Sequence, residues 1–188
     1  MADPARKRAT YEDVLAAPAH KIAEVIDGDL FLHPRPALAH AQAASALGAE
    51  IGTPFGRGKG GPGGWIILDE PELHLGREPD IVVPDLAGWR RERLPELPDA
   101  AFLTLAPDWL CEVLSPSTQR LDRTRKMRVY LRERVTHLWL VDPAARTLEI
   151  YRLDGPTYRL VDTHSDDTNV RAEPFDAIEL ELVALWQR

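Results

Sequence analysis

The chain has 188 residues, 44% hydrophobic and 28% charged, as is typical of a soluble globular protein. Its formal net charge of −7 argues against a protein that holds nucleic acid through a broad basic surface, although a local basic patch is compatible with it. The single cysteine excludes an intrachain disulfide and a thiolate zinc site, and no apolar run is long enough to span a bilayer. Because the N-terminus also lacks the apolar stretch of a signal peptide, we expect a cytoplasmic protein with one domain over residues 1–188.

The first quarter of the chain predicts a helix, a hairpin and a second helix. Thr10 and Asp13 have the spacing of a capping box, which predicts a short helix in "YEDVLAAP". Residues 21–34 predict a β-hairpin, because two runs with β-branched and aromatic residues flank an Asp-Gly pair. Residues 37–52 are rich in helix formers and end on glycine, which predicts a helix.

The middle of the chain predicts loops and strands. Residues 56–64, "GRGKGGPGG", predict a mobile surface loop; they resemble a phosphate-binding loop but lack its Lys-Ser or Lys-Thr pair. Residues 65–75 alternate between apolar and polar and predict one strand. Residues 81–83 predict a second strand with a Pro-Asp pair at each end, and residues 90–100 predict a charged, Pro-rich loop or irregular helix.

A β-α-β unit is predicted next. The near-continuous apolar run Trp109–Leu114 is typical of a strand covered on both faces, and "SPST" ends it and caps a helix from about Gln119 to Arg134. Residues 136–143 predict a strand parallel to the first, reached by a right-handed crossover. The remaining residues predict a β-meander and a last strand or short helix, so the fold class is mixed α/β or α+β.

Two acids mark this region as a candidate site. Glu112 lies in the middle of the apolar strand, where a carboxylate costs free energy unless it is paired or binds a metal. Asp85 follows the strand 81–83, and if the two strands are neighbours the carboxylates converge, which requires a proton or a cation between them. Magnesium takes such carboxylates together with water and phosphate oxygens. The alternative is that Asp85 caps a turn and Glu112 pairs with an arginine.

The helix after Glu112 supplies a cation. Asp122, Lys126 and Tyr130 are four residues apart and share one face, and because the helix packs back on the sheet, Lys126 can project toward Glu112 and orient a metal-bound water. The alternative is a surface ion pair between Asp122 and Lys126. The arginines of this helix form either a solvated face or a phosphate-backbone patch. They are Arg120, Arg123, Arg125, Arg128, Arg132 and Arg134.

Weaker candidates lie elsewhere. His40 heads the predicted helix 37–52 and could lie near the cleft, although such a histidine is usually an ordinary helix residue. Cys111 is on the strand face opposite Glu112 and is expected in the core. Trp65 and Trp89 flank loops and are expected to pack in the core or to stack on a base.

Three stretches together resemble the PD-(D/E)XK restriction-endonuclease-like superfamily: "VVPDLAGWRRERL", "PDWLCEVLSPST" and "RLDRTRKMRVYLRERVTHLWLVDP". More narrowly, they are similar to the bacterial endonuclease-like family of the Uma-two type, and "AEVIDGDLF" and "ARTLEIYRL" fit the same family, so the resemblance covers nearly the whole chain. It implies a restriction-endonuclease-like central mixed β-sheet flanked by helices, with an N-terminal hairpin and a C-terminal meander. It also implies hydrolysis of nucleic acid, DNA in the first place, with magnesium or manganese, by a homodimer.

The resemblance also assigns roles to residues. Pro84-Asp85 matches the PD and Glu112 the (D/E), and Asp85, Glu112 and the main-chain carbonyl of Val113 would hold the metal. The lysine of the motif is expected two residues after Glu112, where Leu114 stands, and the family supplies it from the next helix as Lys126.

Two further acids take part in this assignment. Pro79-Asp80 is a rival for the PD, but Asp85 is preferred because it begins the matching stretch and closes the strand. Glu24 matches an acidic position of the family and shares a strand face with Ile22 and Ile26, so it is either a further catalytic acid or a structurally paired one. The sequence therefore leaves two functions open, a metal-dependent nuclease and a nuclease-like module that only binds nucleic acid or a protein partner.

Overall fold

The computed structural model of the protein describes residues 7–187. Residues 1–6, on which the expectation about a signal peptide partly rests, lie outside the described part. None of the described helices is both long and apolar enough to cross a membrane. The helices are α1 Tyr11–Leu15, α2 Leu38–Ile51, α3 Gln119–Leu121, α4 Met127–Arg132 and α5 Val183–Trp186, with π-helical segments at Gly52–Gly56 and Asp122–Lys126. The strands are β1 Lys21–Ile26, β2 Asp29–Pro34, β3 Trp65–Asp69, β4 Leu73–Leu75, β5 Asp80–Val82, β6 Leu86–Arg90, β7 Trp109–Val113, β8 His137–Asp142, β9 Thr147–Asp154, β10 Thr157–Ser165, β11 Asn169–Val170 and β12 Leu180–Glu181.

A six-stranded mixed sheet forms the centre of the protein, in the order β10-β9-β8-β7-β6-β3. Strands β7 and β8 are parallel and joined through α3 and α4, which confirms the predicted β-α-β unit, whereas the other neighbours are antiparallel. All five residues of β7 are buried, as expected for a strand covered on both faces. The C-terminal meander is also confirmed, since β9 and β10 extend the sheet.

Helices cover the two faces of this sheet. On one face, Leu47 and Ile51 of α2 belong to a buried cluster with Trp109 and Cys111 of β7, so Cys111 is a core residue as predicted. On the other face, Val129 of α4 belongs to a second cluster that also contains core residues of β7 and β8. Burial of each such aliphatic side chain stabilises the fold by about 1.5–3 kcal/mol.

A four-stranded sheet, β2-β1-β5-β4, lies on the α4 side of the central sheet. The predicted hairpin forms two of its strands, with Glu24 opposite Phe31, and Val25 pairs with Ile81 of β5. Ile26 at the end of β1 is buried in the same core cluster as Leu110 of β7. This packing brings β1 close to the central strand that carries Glu112.

The strand predictions for residues 65–90 were partly wrong. The stretch 65–75 forms two strands in different sheets, β3 and β4, because the chain turns at Glu70, which has a φ of 45°, and Pro71 follows. The predicted strand 81–83 does not neighbour β7. Its place beside β7 is taken by β6, a strand that was not predicted from the sequence. Gly88 in β6 obscured the pattern; a Cβ there would lie 3.2 Å from the Trp109 ring.

The predicted helix 119–134 forms, but its second turn is π-helical. The π segment Asp122–Lys126 connects α3 and α4, and π segments of this kind occur frequently at functional sites. Both Asp122 and Lys126 are buried in it. The tryptophans Trp65 and Trp89 are buried in the core, so the packing interpretation is confirmed and base stacking on their rings is wrong.

Candidate active site

A cavity of about 240 Å³ lies where the end of β7 meets β1, the start of α2 and the π segment. A larger groove of about 830 Å³ runs along β3, but it does not bring several acids together. In the smaller cavity, each acid is carried by a different element, so only the tertiary fold brings these side chains together. The ionisable side chains that line it are Glu24, His33, Arg35, His40, Asp85, Glu112, Asp122 and Lys126.

Lys126 is the centre of the acidic cluster. Its Nζ lies 2.9 Å from Glu112 Oε1, 3.0 Å from Glu24 Oε1 and 3.7 Å from Asp122 Oδ1. Burial lowers the pKa of Lys126, but the charges of Glu112, Glu24 and the other acids outweigh it and raise the pKa well above its ordinary value. The predicted projection of Lys126 toward Glu112 is therefore confirmed, and a surface ion pair with Asp122 is wrong, since both side chains are only about 4% exposed.

Glu24 is an ionised member of this cluster. Its Oε1 accepts a hydrogen bond from the Val83 N–H at 2.8 Å, and its Oε2 lies 3.3 Å from Nε2 of His33. Burial raises the pKa of Glu24, but Lys126, His33 and the Val83 N–H together lower it to about 2. The structure thus brings Glu24 into the site, where it pairs with Lys126.

Glu112 has an incompletely compensated charge. Tyr130 donates a short hydrogen bond from its hydroxyl to Glu112 Oε1, the same oxygen that faces Lys126. Burial raises the pKa of Glu112 well above its ordinary value, and the charges of Asp122, Asp85 and Glu24 add to this against the opposing effect of Lys126. The alternative prediction, that Glu112 pairs with an arginine, is wrong, because the cation beside Glu112 is Lys126.

Asp85 immediately precedes β6 and is held against the end of β7. Its Oδ2 accepts a hydrogen bond from the Val113 N–H at 2.6 Å, and its Oδ1 lies 3.2 Å from Nε2 of His40. Because β6 pairs with β7, Leu86 lies opposite Cys111, and Asp85 therefore comes next to Glu112 and Val113. The expected convergence of the two acids thus occurs, but through β6 and not through the strand 81–83.

His40 also lines the cavity, next to Asp85. Burial lowers the pKa of His40, but the hydrogen bond and the charge of Asp85, with the backbone of Val113, outweigh it and raise the pKa. The sequence marked His40 only as a helix residue that could lie near the cleft, and the structure places it in the cavity. Tyr130 and Asp122 were visible as residues on the Lys126 face, whereas nothing in the pattern indicated His33.

The rival motif residue Asp80 has a structural role. Its Oδ2 accepts a hydrogen bond from Arg132 Nη2 at 2.6 Å, and its Oδ1 accepts one from the Asp27 N–H at 2.6 Å, which fixes the hairpin turn. Asp80 does not line the cavity. Of the two Pro-Asp pairs, only Pro84-Asp85 contributes to the site.

Most of the arginines on the α3–α4 segment are already engaged within the protein. Arg123 pairs with Glu149 at 2.6 Å, Arg125 with Asp29 at 2.9 Å and Arg132 with Asp80 at 2.6 Å. The Arg134 guanidinium donates to the Gly155 carbonyl. This basic run is therefore mainly a set of structural ion pairs, and it offers few free charges for a phosphate backbone.

The donor chemistry of the cavity suits a hard divalent cation with few protein ligands. Within residues 7–187, no group of three or more His, Cys, Asp and Glu side chains is arranged to hold a metal. The set expected from the sequence has only two carboxylates, Asp85 and Glu112, with the Val113 carbonyl as third ligand. Four buried or half-buried carboxylates line this cavity together with Lys126, Arg35 and two histidines, and carboxylate oxygens are the donors that a hard divalent cation takes.

Comparisons with known proteins identify the family and the fold. The Uma2 family, described as "Putative restriction endonuclease", matches residues 9–184. A crystal structure from Anabaena variabilis ATCC 29413, described as a "putative nuclease belonging to DUF820", has a TM-score of 0.75 and 23% identity, over 95% of this chain and 97% of that one. No curated protein matches the sequence significantly. Because the family match covers nearly all of the sequence, the chain belongs to the Uma2 family of restriction-endonuclease-like proteins.

Proposed function

We propose that this protein is a metal-dependent nuclease that hydrolyses phosphodiester bonds of nucleic acid. The observation that carries the proposal is the gathering of four carboxylates in the cavity, where Glu24, Glu112 and Asp122 surround the ammonium of Lys126 and Asp85 lies beside His40. Carboxylates this close repel one another unless a proton or a cation lies between them. Membership in a family described as restriction endonucleases agrees with a phosphodiester substrate.

The residues that would hold the metal are Asp85, Glu112 and, through its carbonyl oxygen, Val113. All three offer the hard oxygen donors that Mg²⁺ or Mn²⁺ takes, with water and substrate phosphate completing the coordination. When bound, such an ion supplies a Lewis acid for the phosphate and an acidified water as nucleophile. The Val113 N–H keeps Asp85 in place for this role, as Tyr130 does for Glu112.

Lys126 would stabilise the negative charge that develops on the scissile phosphate during hydrolysis. Its ammonium is paired with Glu112 and Glu24 where it lines the cavity. A positive group held in this way stabilises negative charge on a scissile phosphate and orients the attacking water. Glu24, ionised and paired, would be the acid that holds this lysine in position.

The further attributes of the proposed nuclease follow from the resemblance. We propose DNA as its substrate and a homodimer as its active form, since two sites are needed to cut both strands of a duplex at once. We further propose that residues 1–188 form a single domain and that the protein acts in the cytoplasm, because its only cysteine is a buried core residue and no disulfide is possible.

One observation favours a second function, a nuclease-like module that binds without cutting. The Lys126 ammonium is surrounded by three carboxylates within 3.7 Å, and Leu114 stands where the motif usually has its lysine. If these acids held Lys126 away from the substrate, the fold would bind nucleic acid or a protein partner and leave it intact.

A cleavage assay with a matched variant separates the two functions. Supercoiled plasmid, linear single-stranded DNA and RNA are incubated with the wild type and with Glu112→Gln, in Mg²⁺, in Mn²⁺ and in EDTA. Cleavage that needs the metal and is absent in the variant is the expected result. Metal-independent binding, equal in both proteins and without cleavage, would replace the proposal by the binding module.

A further inference from the structure

The central sheet has two outer strands, β10 and β3, and only one of them is protected against pairing with another chain. Strand β10 carries a bulge between Leu160 and Asp162, and bulges of this kind prevent an edge strand from accepting a further strand. Strand β3 is regular over Trp65–Asp69 and contains no lysine, proline or bulge. The edge of β3 therefore offers its backbone groups to another strand.

The hydrogen bonds between β3 and β6 show which backbone groups of β3 point outward. The Arg91 N–H donates to the Gly64 carbonyl at one end, and the Glu70 N–H donates to the Asp85 carbonyl at the other. Because hydrogen-bonded pairs alternate along two antiparallel strands, the even-numbered residues of β3 face β6 and the odd-numbered residues face away from it. The outward residues are Trp65, Ile67 and Asp69. Within residues 7–187, no other element hydrogen-bonds to their backbone.

The groove along β3 has room for a further strand. Its volume is about 830 Å³, and it is lined by β3, by α2 and by the loop after β6. The helix contributes the small residues Gly48 and Ala49, and the loop contributes Pro95 and Leu97. Leu97 is 51% exposed, which is unusual for a large apolar side chain. An extended segment in this groove would pair with the outward backbone groups of β3 and cover this leucine.

The two ends of β3 carry opposite charges. Asp69 is exposed at the last position of the strand. At the first position, the Arg90 guanidinium lies over the Trp65 ring, 4.6 Å from its centroid, and Arg91 lines the groove. Neither this acid nor these two arginines form an ion pair among the described residues. A strand of the same sequence that runs antiparallel to β3 would bring its acid beside these arginines, so the edge is complementary to itself.

We propose that β3 pairs antiparallel with β3 of a second copy of this chain, about a two-fold axis at Ile67. In this register Ile67 lies opposite its counterpart, and Trp65 lies opposite Asp69 of the other copy. Each outward N–H of one strand then meets a carbonyl of the other. Because residues that lie opposite each other share a sheet face, the carboxylate of Asp69 comes beside Arg90 of the other copy.

The pairing would join the two central sheets into one continuous sheet. A two-fold contact of this kind closes the assembly at two copies, because the same edge is used by both. The inference rests on the proposed function in one respect, since it gives the homodimer proposed there an interface. It requires neither the metal nor cleavage.

Amide hydrogen exchange followed by NMR tests the register. In a dimer paired through β3, the amides of all five strand residues are expected to be protected. In Asp69→Lys, which is expected to be monomeric, the outward amides should exchange at least about tenfold faster. Those of Ile66 and Leu68 should stay protected, because they bond to β6 in both proteins.

A charge exchange tests the partner by sedimentation velocity over a dilution series. Asp69→Lys and Arg90→Glu each bring like charges together across the proposed interface, and each is expected to weaken the dimer at least about tenfold. The double variant restores opposite charges and should recover most of this loss. The matched control is Asp162→Lys on β10, at the other edge of the sheet, which should leave the dimer unchanged.

The outcomes separate this inference from the proposed function. A dimer that ignores the charge exchange, or whose outward β3 amides are unprotected in the wild type, would overturn the interface. A wild type that is monomeric at every concentration would overturn the interface and the homodimer, and metal-dependent cleavage by that monomer would leave the nuclease standing. A dimer paired through β3 that cuts no nucleic acid would confirm the interface and remove the nuclease.

Discussion

The ammonium of Lys126 lies 2.9 Å from Oε1 of Glu112, and both side chains are almost completely buried. The two residues belong to one β-α-β unit, in which the helical segment folds back over the strand and presents one face to its end. The π-helical turn carries Asp122 and Lys126 together on this face. The same short segment of chain thus supplies both an acid and the cation that partly neutralises it.

Lys126→Met is expected to destabilise the protein by about 3–5 kcal/mol, because it leaves Glu24, Glu112 and Asp122 buried without their cation. Urea unfolding measures the change. The matched control is Arg128→Met on the same helix, where the side chain is exposed and the expected change is within about 0.5 kcal/mol. Equal losses in the two variants would show that the buried carboxylates do not depend on Lys126.

Glu112→Gln is expected to bind the metal at least about tenfold more weakly without losing stability. Burial and the neighbouring acids raise the pKa of Glu112, so its ionised form is disfavoured in the folded protein, and a neutral amide of the same size removes this cost. Tyr130 can still donate to the amide oxygen. Calorimetry and urea unfolding of one preparation test both statements, and a clear fall in the free energy of unfolding would contradict the second.

The stability that Glu24 contributes is expected to depend on pH. Its pKa is about 2 in the folded protein against an ordinary 4.5, so ionised Glu24 stabilises the fold above pH 4.5, and this stabilisation is lost as the pH falls toward 2. The shift corresponds to about 3 kcal/mol. Wild type and Glu24→Gln should therefore differ by about this amount at pH 6 and converge in acid.

Because the charge of Glu24 also raises the pKa values of Glu112 and Asp122, the difference between these two proteins reports the carboxylate of Glu24 together with its effect on these two acids. An exposed loop acid, Glu96, provides the control: Glu96→Gln should change the free energy of unfolding at pH 6 by no more than about 0.5 kcal/mol. A constant difference between wild type and Glu24→Gln from pH 6 to pH 2.5 would show that the Glu24 carboxylate gains nothing from its partners.

Asp80→Asn is expected to affect stability and not metal binding, by contrast with Asp85→Asn. Asp80 accepts hydrogen bonds from Arg132 and from the Asp27 N–H, both at 2.6 Å, so the variant should lose about 1–3 kcal/mol of stability. Asp85→Asn should instead weaken metal binding, because Asp85 is a proposed ligand. Loss of metal affinity in Asp80→Asn at temperatures where it remains folded would reverse the choice between the two Pro-Asp pairs.

The sequence alone was sufficient to predict the elements whose signals lie within a short stretch of the chain. The hairpin over residues 21–34 follows from its Asp-Gly turn, and the two buried strands around the α3–α4 segment follow from their apolar runs. The projection of Lys126 toward Glu112 also follows, since a crossover helix must cover the strands that it connects. The resemblance to the Uma-two type was likewise readable from the motifs, and the family match bears it out.

Other features depended on contacts between distant segments. Strand β6 was not predicted from the sequence; it contains Gly88, and a Cβ at this position would lie 3.2 Å from the ring of Trp109 and 3.3 Å from the ring of Trp65. His40 and His33 come to the cavity from α2 and β2, and neither position has a local signal that distinguishes it from an ordinary helix or strand residue. The ion pairs of the arginines on the α3–α4 segment could not be predicted from local sequence either, because their acidic partners lie as far as 96 residues away in the chain.

The sequence by itself therefore determined which residues carry charge into apolar segments, because burying a carboxylate is costly wherever the chain folds. Only the tertiary structure decided how these charges are balanced. Glu24 pairs with Lys126, Asp80 with Arg132, and Asp85 stands beside His40. The electrostatic energy of a buried group depends on distances of a few ångströms between side chains from different elements, and such distances are fixed only when the sheets and helices pack.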